Sequence, residues 1–200
     1  MADWAEFAVS GVSEDTPKNI MLGAGTLYKN FKFDSSGSNK WTGTILGATS
    51  GGTKLTITPE ITDIDVDGVL VKAKGLRQKT GETAQIETNM VEITKEYLQS
   101  TVIGTAGTSA DNRFDVIESK ALIDDSDYIE SFAYVGFKTD GSPIIIIFDY
   151  AICTSGLSLE GKNKEAAVVP ATFECVANLT AGGNTSKLPY HIYVAKASEE

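Results

Sequence analysis

From Leu55 onward, apolar and polar residues alternate one by one. Leu55, Ile57 and Ile61 share one parity, and Thr56, Thr58, Glu60 and Thr62 share the other. An extended strand sends successive side chains to opposite faces, whereas a helix repeats every 3.6 residues, so a two-residue period selects strand. Residues 82–91 repeat the pattern, with Ala84, Ile86 and Met90 on one side and Thr83, Gln85, Glu87 and Asn89 on the other. One face must meet a core and the other water. Past Thr62 the parity slips: Ile64 and Val66 become the apolar set, while Asp63, Asp65 and Asp67 take the opposite face. A regular strand cannot change parity, which predicts a bulge or corner near Thr62-Asp63.

The rest of the chain reads mostly as strand. Met21, Leu22, Leu27 and Tyr28 predict a first strand interrupted by Gly23 and Gly25. Further strands are expected around Phe114–Leu122 and Ile129–Lys138, followed by a turn at Asp140-Gly141. The run Ile144–Phe148 is apolar on both parities, as in a strand covered on both sides. Ala171, Phe173, Cys175, Ala177 and Leu179 form one later stripe, and Leu188, Tyr190, Ile192 and Val194 another. A single helix is predicted after the N-cap Thr94, running through Tyr97 and Val102 toward Gly104, and residues 105–112 read as a loop. Residues 29–54, rich in Gly, Ser, Asn and Lys with Trp41 near the middle, read as a long loop; a stretch this long is usually functional or disordered, and here it hints at an interaction loop. The expected architecture is mainly β, a sandwich or barrel with one flanking helix. The expected organisation is an N-terminal arm over 1–18, one domain over 19–196 and a short tail over 197–200.

A chain of 200 residues buries roughly 70% of its unfolded surface and needs no disulfide or metal to fold. The N-terminus shows no basic flank or apolar signal core, and the longest apolar run is too short to cross a bilayer, so a cytoplasmic fold is expected. Cys153 and Cys175 sit in apolar strand-like stretches and read as buried free thiols. The net charge of −10 opposes tight nucleic-acid binding, which needs cations to displace counterions. It leaves open an acidic wall past which DNA slides.

Motifs that look chemical fail on inspection. Asp63-Ile64-Asp65-Val66-Asp67-Gly68 copies the first half of a calcium loop, but Lys74 stands where a bidentate Glu is required. Gly23-Ala24-Gly25 is followed by Tyr28 where a dinucleotide fingerprint needs glycine, and the Gly47–Thr53 segment lacks the Gly-Lys-Ser/Thr end of a phosphate loop. His191 is the single histidine, and with two separated cysteines it makes no zinc set. No Gly-x-Ser-x-Gly elbow holds a serine nucleophile. Glu60, Asp63, Asp65 and Asp67 read as a solvated strand face rather than an acid–base pair. No cofactor or metal is expected.

An ordered set of segments carries a resemblance. It comprises residues 20–28 (Ile-Met-Leu-Gly-Ala-Gly-Thr-Leu-Tyr), 46–52 (Leu-Gly-Ala-Thr-Ser-Gly-Gly), Pro59-Glu60-Ile61 and Asp65-Val66-Asp67-Gly68. Lys72-Ala73-Lys74-Gly75-Leu76 and Glu92-Ile93-Thr94 follow, then Asp140-Gly141-Ser142-Pro143 with its Ile run, and Pro170-Ala171-Thr172-Phe173. Over about residues 19–180 the chain resembles the tail tube (major tail) proteins of siphophages. The resemblance implies a β-sandwich with a flanking helix, six copies per ring, and rings stacked into a tube in the virion tail. It also implies inner strands of the six copies joined into one barrel around the DNA path, as in the similar type VI secretion tube. Implied partners are other copies, the tape measure protein, the tail terminator, distal tail or baseplate proteins, and phage DNA passing without sequence-specific binding.

Within that frame Gln85, Glu87 and Asn89 are expected to line the lumen. The 29–54 loop, with Phe33, Lys40 and Trp41, is expected to reach a neighbouring ring, so deleting 34–44 should leave folded subunits that do not stack. Rival expectations are a carbohydrate-binding β-sandwich of a phage baseplate, which would display aromatics such as Trp4 and Trp41, and a tube subunit of a type VI-like machine.

Overall fold

A computed structural model describes residues 10–37, 40–161, 163–179 and 185–196. Residues 1–9 of the expected arm, with Trp4, and the 197–200 tail lie outside them. Among the described residues the chain is mainly β and antiparallel, with one α-helix. Ten strands follow in order: β1 (Met21–Asp34), β2 (Lys40–Ile45), β3 (Thr49–Asp63), β4 (Arg77–Met90), β5 (Gly104–Gly107), β6 (Val116–Ser119), β7 (Ile129–Lys138), β8 (Pro143–Cys153), β9 (Val169–Cys175) and β10 (Tyr190–Val194). The helix α1 (Lys95–Val102) lies between β4 and β5.

The large sheet runs β2-β1-β7-β8-β9-β4-β3, and β5 pairs β6 separately. Strand β8 is the branch point. Along one edge it pairs β7; along the other, Ile144–Phe148 pair β10, and Ala151–Cys153 pair β9. The main core joins side chains from both sides of β8. Leu27, Phe132, Tyr134 and Phe148 from β1, β7 and β8 share one cluster with Ala84, Ile86, Met90, Ala171 and Phe173 from β4 and β9. Phe132 and Phe173 meet across it, with ring centroids 4.6 Å apart. Burying side chains of this size contributes about 2–3 kcal/mol each.

The two-residue alternation of β4 is realised in burial: Ala84, Ile86 and Met90 are fully buried, and Thr88 nearly so. The Ile144–Phe148 run is covered on both faces as expected, because Ile146 and Phe148 enter the main core while Ile145 and Ile147 enter a second cluster with Phe31, Ala133 and Val135. The glycine interruption of β1 is a register shift against β7 between Leu22 and Thr26. Gly25 has φ +71°, and a Cβ there would collide with the Tyr134 ring, so glycine is required twice over. The expected corner falls where read, since β3 ends at Asp63; the register shift just before it, between Glu60 and Ile61, places its extra residue, Thr80, on β4 and leaves the parity of β3 intact.

Helix α1 starts as read. The Thr94 hydroxyl accepts from Tyr97 N, and the Tyr97 phenol donates to Val169 O at 3.1 Å, pinning the helix to β9. Its left-handed cap is Ile103 (φ 51°), one residue before the expected glycine. Residues 105–112 begin as strand β5, not loop. A larger correction concerns residues 29–54. They are no long loop: β1 continues to Asp34, β2 returns along it, and β3 starts at Thr49.

Candidate assembly surface

Strands β9, β4 and β3 turn their second face away from the core, and three registered rows cross it. Thr58 lies beside Thr83; Thr56 beside Gln85 and Glu174; Lys54 beside Glu87 and Thr172. Asn89, next along β4, pairs Pro170. Gln85, Glu87 and Asn89 thus form one continuous, half-exposed polar stripe at the centre of this face. Lys54 Nζ reaches Glu87 Oε1 at 3.0 Å, a solvent-exposed pair that contributes little stability. With Glu174 beside them, one Lys and two Glu leave a net negative charge on the stripe.

Strand β3 borders this face and, among the described residues, pairs only with β4. Over Thr53–Glu60 the register is unbroken. Pro59 has no N–H, and in an edge strand its nitrogen faces away from the ladder. By alternation, the N–H groups of Leu55 and Ile57 also point to the free edge, while those of Thr56 and Thr58 point into β4. An unpaired edge is a template for another strand.

The β3–β4 hairpin ends in an apolar tip. Leu70 is 96% exposed and Val71 77%, and Ile64, Val66 and Val69 are also exposed. The base of the tip is clamped: Asp63 accepts from Arg77 Nε at 2.7 Å and pairs Lys72 Nζ at 3.3 Å, while Ile64 N donates to Leu76 O at 2.6 Å. These cations occupy the first carboxylate of the half calcium loop. Among the described residues no group of three His, Cys, Asp or Glu is placed to hold a metal.

Phe33, Lys40 and Trp41 come together on the β1–β2 hairpin. Phe33 is the cross-strand partner of Trp41, and Asp34 that of Lys40. The indole is half-buried within its own chain: it stacks on Phe31 (5.3 Å, 6°) and meets Tyr193 of β10 edge-on (5.1 Å). A bulge with Asn30 at φ 53° turns Phe31 onto that side, and Gly43 leaves room for its ring. Trp41 is therefore a packing residue of the second cluster, not the tip of a free arm. Lys40 is exposed and Phe33 47% exposed.

Of the groups first weighed for chemistry, His191 projects opposite Tyr190, Ile192 and Val194, as read, and its Nε2 lies 3.3 Å from Asp149 Oδ1. Cys153 and Cys175 are buried free thiols. Burial, then the charges of Asp149, Glu174 and Glu82, pushes the Cys175 thiol up to about 12, so it is unreactive at neutral pH. Glu82, whose side chain is 9% exposed, accepts from Lys79 at 2.7 Å and from the Tyr190 phenol at 3.2 Å, tying β4 to β10. Residue order alone gave no sign of this tie, since 108 positions separate its ends. Among the described residues no helix is long and apolar enough to cross a membrane. No protein-family model matches the chain, and no curated protein matches it significantly.

Proposed function

We propose that this chain is a structural subunit that polymerises with copies of itself: the tail tube protein of a long-tailed, non-contractile bacteriophage, stacked as hexameric rings to form the conduit for DNA ejection. The observation that carries the proposal is the β3–β4 hairpin. It has a core-facing side, a polar outer side, an unpaired edge and an apolar tip, and a monomer has no use for the last two. In a closed ring the β3 edge pairs with a neighbouring copy, which satisfies its outward N–H groups. The Gln85/Glu87/Asn89 stripe then faces the lumen, where its net negative charge repels phosphate and lets DNA pass without binding. The tip at 64–71 takes over the inter-ring role first given to residues 29–54, since head-to-tail contacts extend rings into tubes. Tape measure, terminator and distal tail proteins are the further partners of such a tube.

Electron cryo-microscopy of the concentrated protein, with and without its tail initiator complex, tests this. Stacked rings with Gln85, Glu87 and Asn89 on the inner wall are expected. A chain that stays monomeric beside the initiator overturns the proposal, and tubes carrying that stripe on the exterior overturn the lumen assignment alone.

A further inference from the structure

Two Asp-Gly steps occur on exposed turns, and the fold treats them in opposite ways. Asp140-Gly141 and Asp67-Gly68 share the same dipeptide, the same left-handed glycine (φ 83° and 86°) and open space where a glycine Cβ would stand. At Asp140 everything reactive is engaged. Its Oδ1 accepts from Ser142 N at 2.8 Å and Ser142 Oγ at 2.7 Å, and Gly141 N donates to Lys138 O at 2.9 Å. At Asp67 the turn is closed by Val69 N donating to Val66 O at 3.1 Å, outside the reactive pair. Among the described hydrogen bonds and ion pairs, none engages the Asp67 carboxylate or Gly68 N.

We propose that Asp67-Gly68 is a site of spontaneous backbone modification, cyclising to a succinimide and reopening as isoaspartate, while Asp140-Gly141 is held inert. Gly68 N attacks Cγ of the protonated Asp67 carboxyl. The N–Cγ bond forms, the Cγ–OH bond breaks, and the N–H proton leaves with that hydroxyl as water. One water then adds at either ring carbonyl. Addition at the former main-chain carbonyl breaks its bond to Gly68 N and leaves the chain running through Cβ and Cγ, with a free α-carboxylate. Atoms balance, no oxidant or reductant is needed, and the negative charge is kept. Gly68 favours the step because it has no side chain to obstruct the ring and reaches unusual φ at no steric cost. At Asp140 the attack must first break three hydrogen bonds, each contributing about 1 kcal/mol net, which slows cyclisation by about 100-fold. The chemistry belongs to the single chain; because inter-ring contacts at the 64–71 tip would cover Asp67, it is tested on unpolymerised protein, where its failure is distinct from a failure to form tubes.

The test is to age the full-length protein at neutral pH in oxygen-18 water and to map label by peptide mass spectrometry. Isoaspartate is assigned by enzymatic methylation of the same peptides. Each succinimide opening inserts one oxygen-18, whichever way the ring opens. Label and isoaspartate are expected to accumulate at Asp67, with at least about tenfold less at Asp140, and the Asp67→Glu variant should lose both from that peptide. Absence of label at Asp67, or equal labelling at the two sites, overturns the proposal.

Discussion

Trp41 illustrates how one side chain changes meaning once its neighbours are known. A tryptophan in a Gly/Ser/Asn-rich stretch reads as an exposed anchor, yet here it closes the second cluster over Phe31 and Tyr193. Fully buried Trp-to-Ala changes cost about 3–5 kcal/mol, so the half-buried Trp41→Ala should cost about 2–3 kcal/mol in denaturant unfolding, with Trp41→Phe recovering much of it. Deleting 34–44 removes all of β2 but Ile45, and this indole with it, so it should unfold the chain rather than merely block stacking. Asp124 offers a pH-dependent case. Hydrogen bonds from Lys120, then from Ser126, hold its carboxyl down at about 2. Its folded-state value lies below its unfolded value, so its contribution is complete above about pH 4 and is lost as pH falls toward 2. Thermal melts of Asp124→Asn and the unsubstituted protein should therefore differ at pH 7 and converge near pH 2.

At the level of the elements, strand assignment was legible wherever one face meets the core and the other water, because burial enforces a period of two. β4 is the cleanest case, and Thr94 announced α1 through a local side-chain bond. Segment 29–54 misled because its glycines and lysines outweighed the alternation of Phe31 and Phe33 around a short Asp34–Gly37 turn, and because the bulge at Asn30 shifts the parity inside β1. Strand pairing itself left no local trace: the Glu82–Tyr190 tie and the branching of β8 depend on residues far apart in the chain. The polar stripe of β4 was legible, but its neighbours Lys54 and Glu174 were not, since register decides them. The geometry of β3 makes a prediction that alternates along the strand. In the isolated chain the amides of Leu55 and Ile57 should exchange with deuterium about 100-fold or more faster than those of Thr56 and Thr58. Polymerisation should protect the first pair and leave the second unchanged; residue-resolved exchange by NMR on monomer and dissolved polymer measures it.

For the molecule as a whole, five exposed large apolar residues, Ile64, Val66, Val69, Leu70 and Val71, stand within eight positions on the hairpin tip, and Leu70 is 96% exposed. Replacing Leu70 and Val71 with Asp should leave the melting temperature within a few degrees of the unsubstituted value, because surface changes usually stay within about 0.5 kcal/mol per site. The same pair of changes should abolish long polymers, as read by sedimentation velocity and negative-stain microscopy. Normal tubes from that variant would remove the tip from the interface.

Pro59 carries a consequence for how copies meet. Sliding one strand along another by two residues keeps every side chain on its proper face, so a bare edge tolerates several nearly equivalent offsets. A missing rung changes that count. Any neighbour displaced far enough to lie across residue 59 leaves one of its own carbonyls without a donor, at a cost of about 1–3 kcal/mol, enough to disfavour that offset several-fold or more. A single imino acid thereby acts as an end-stop, and each added copy inherits its alignment from where the donors run out.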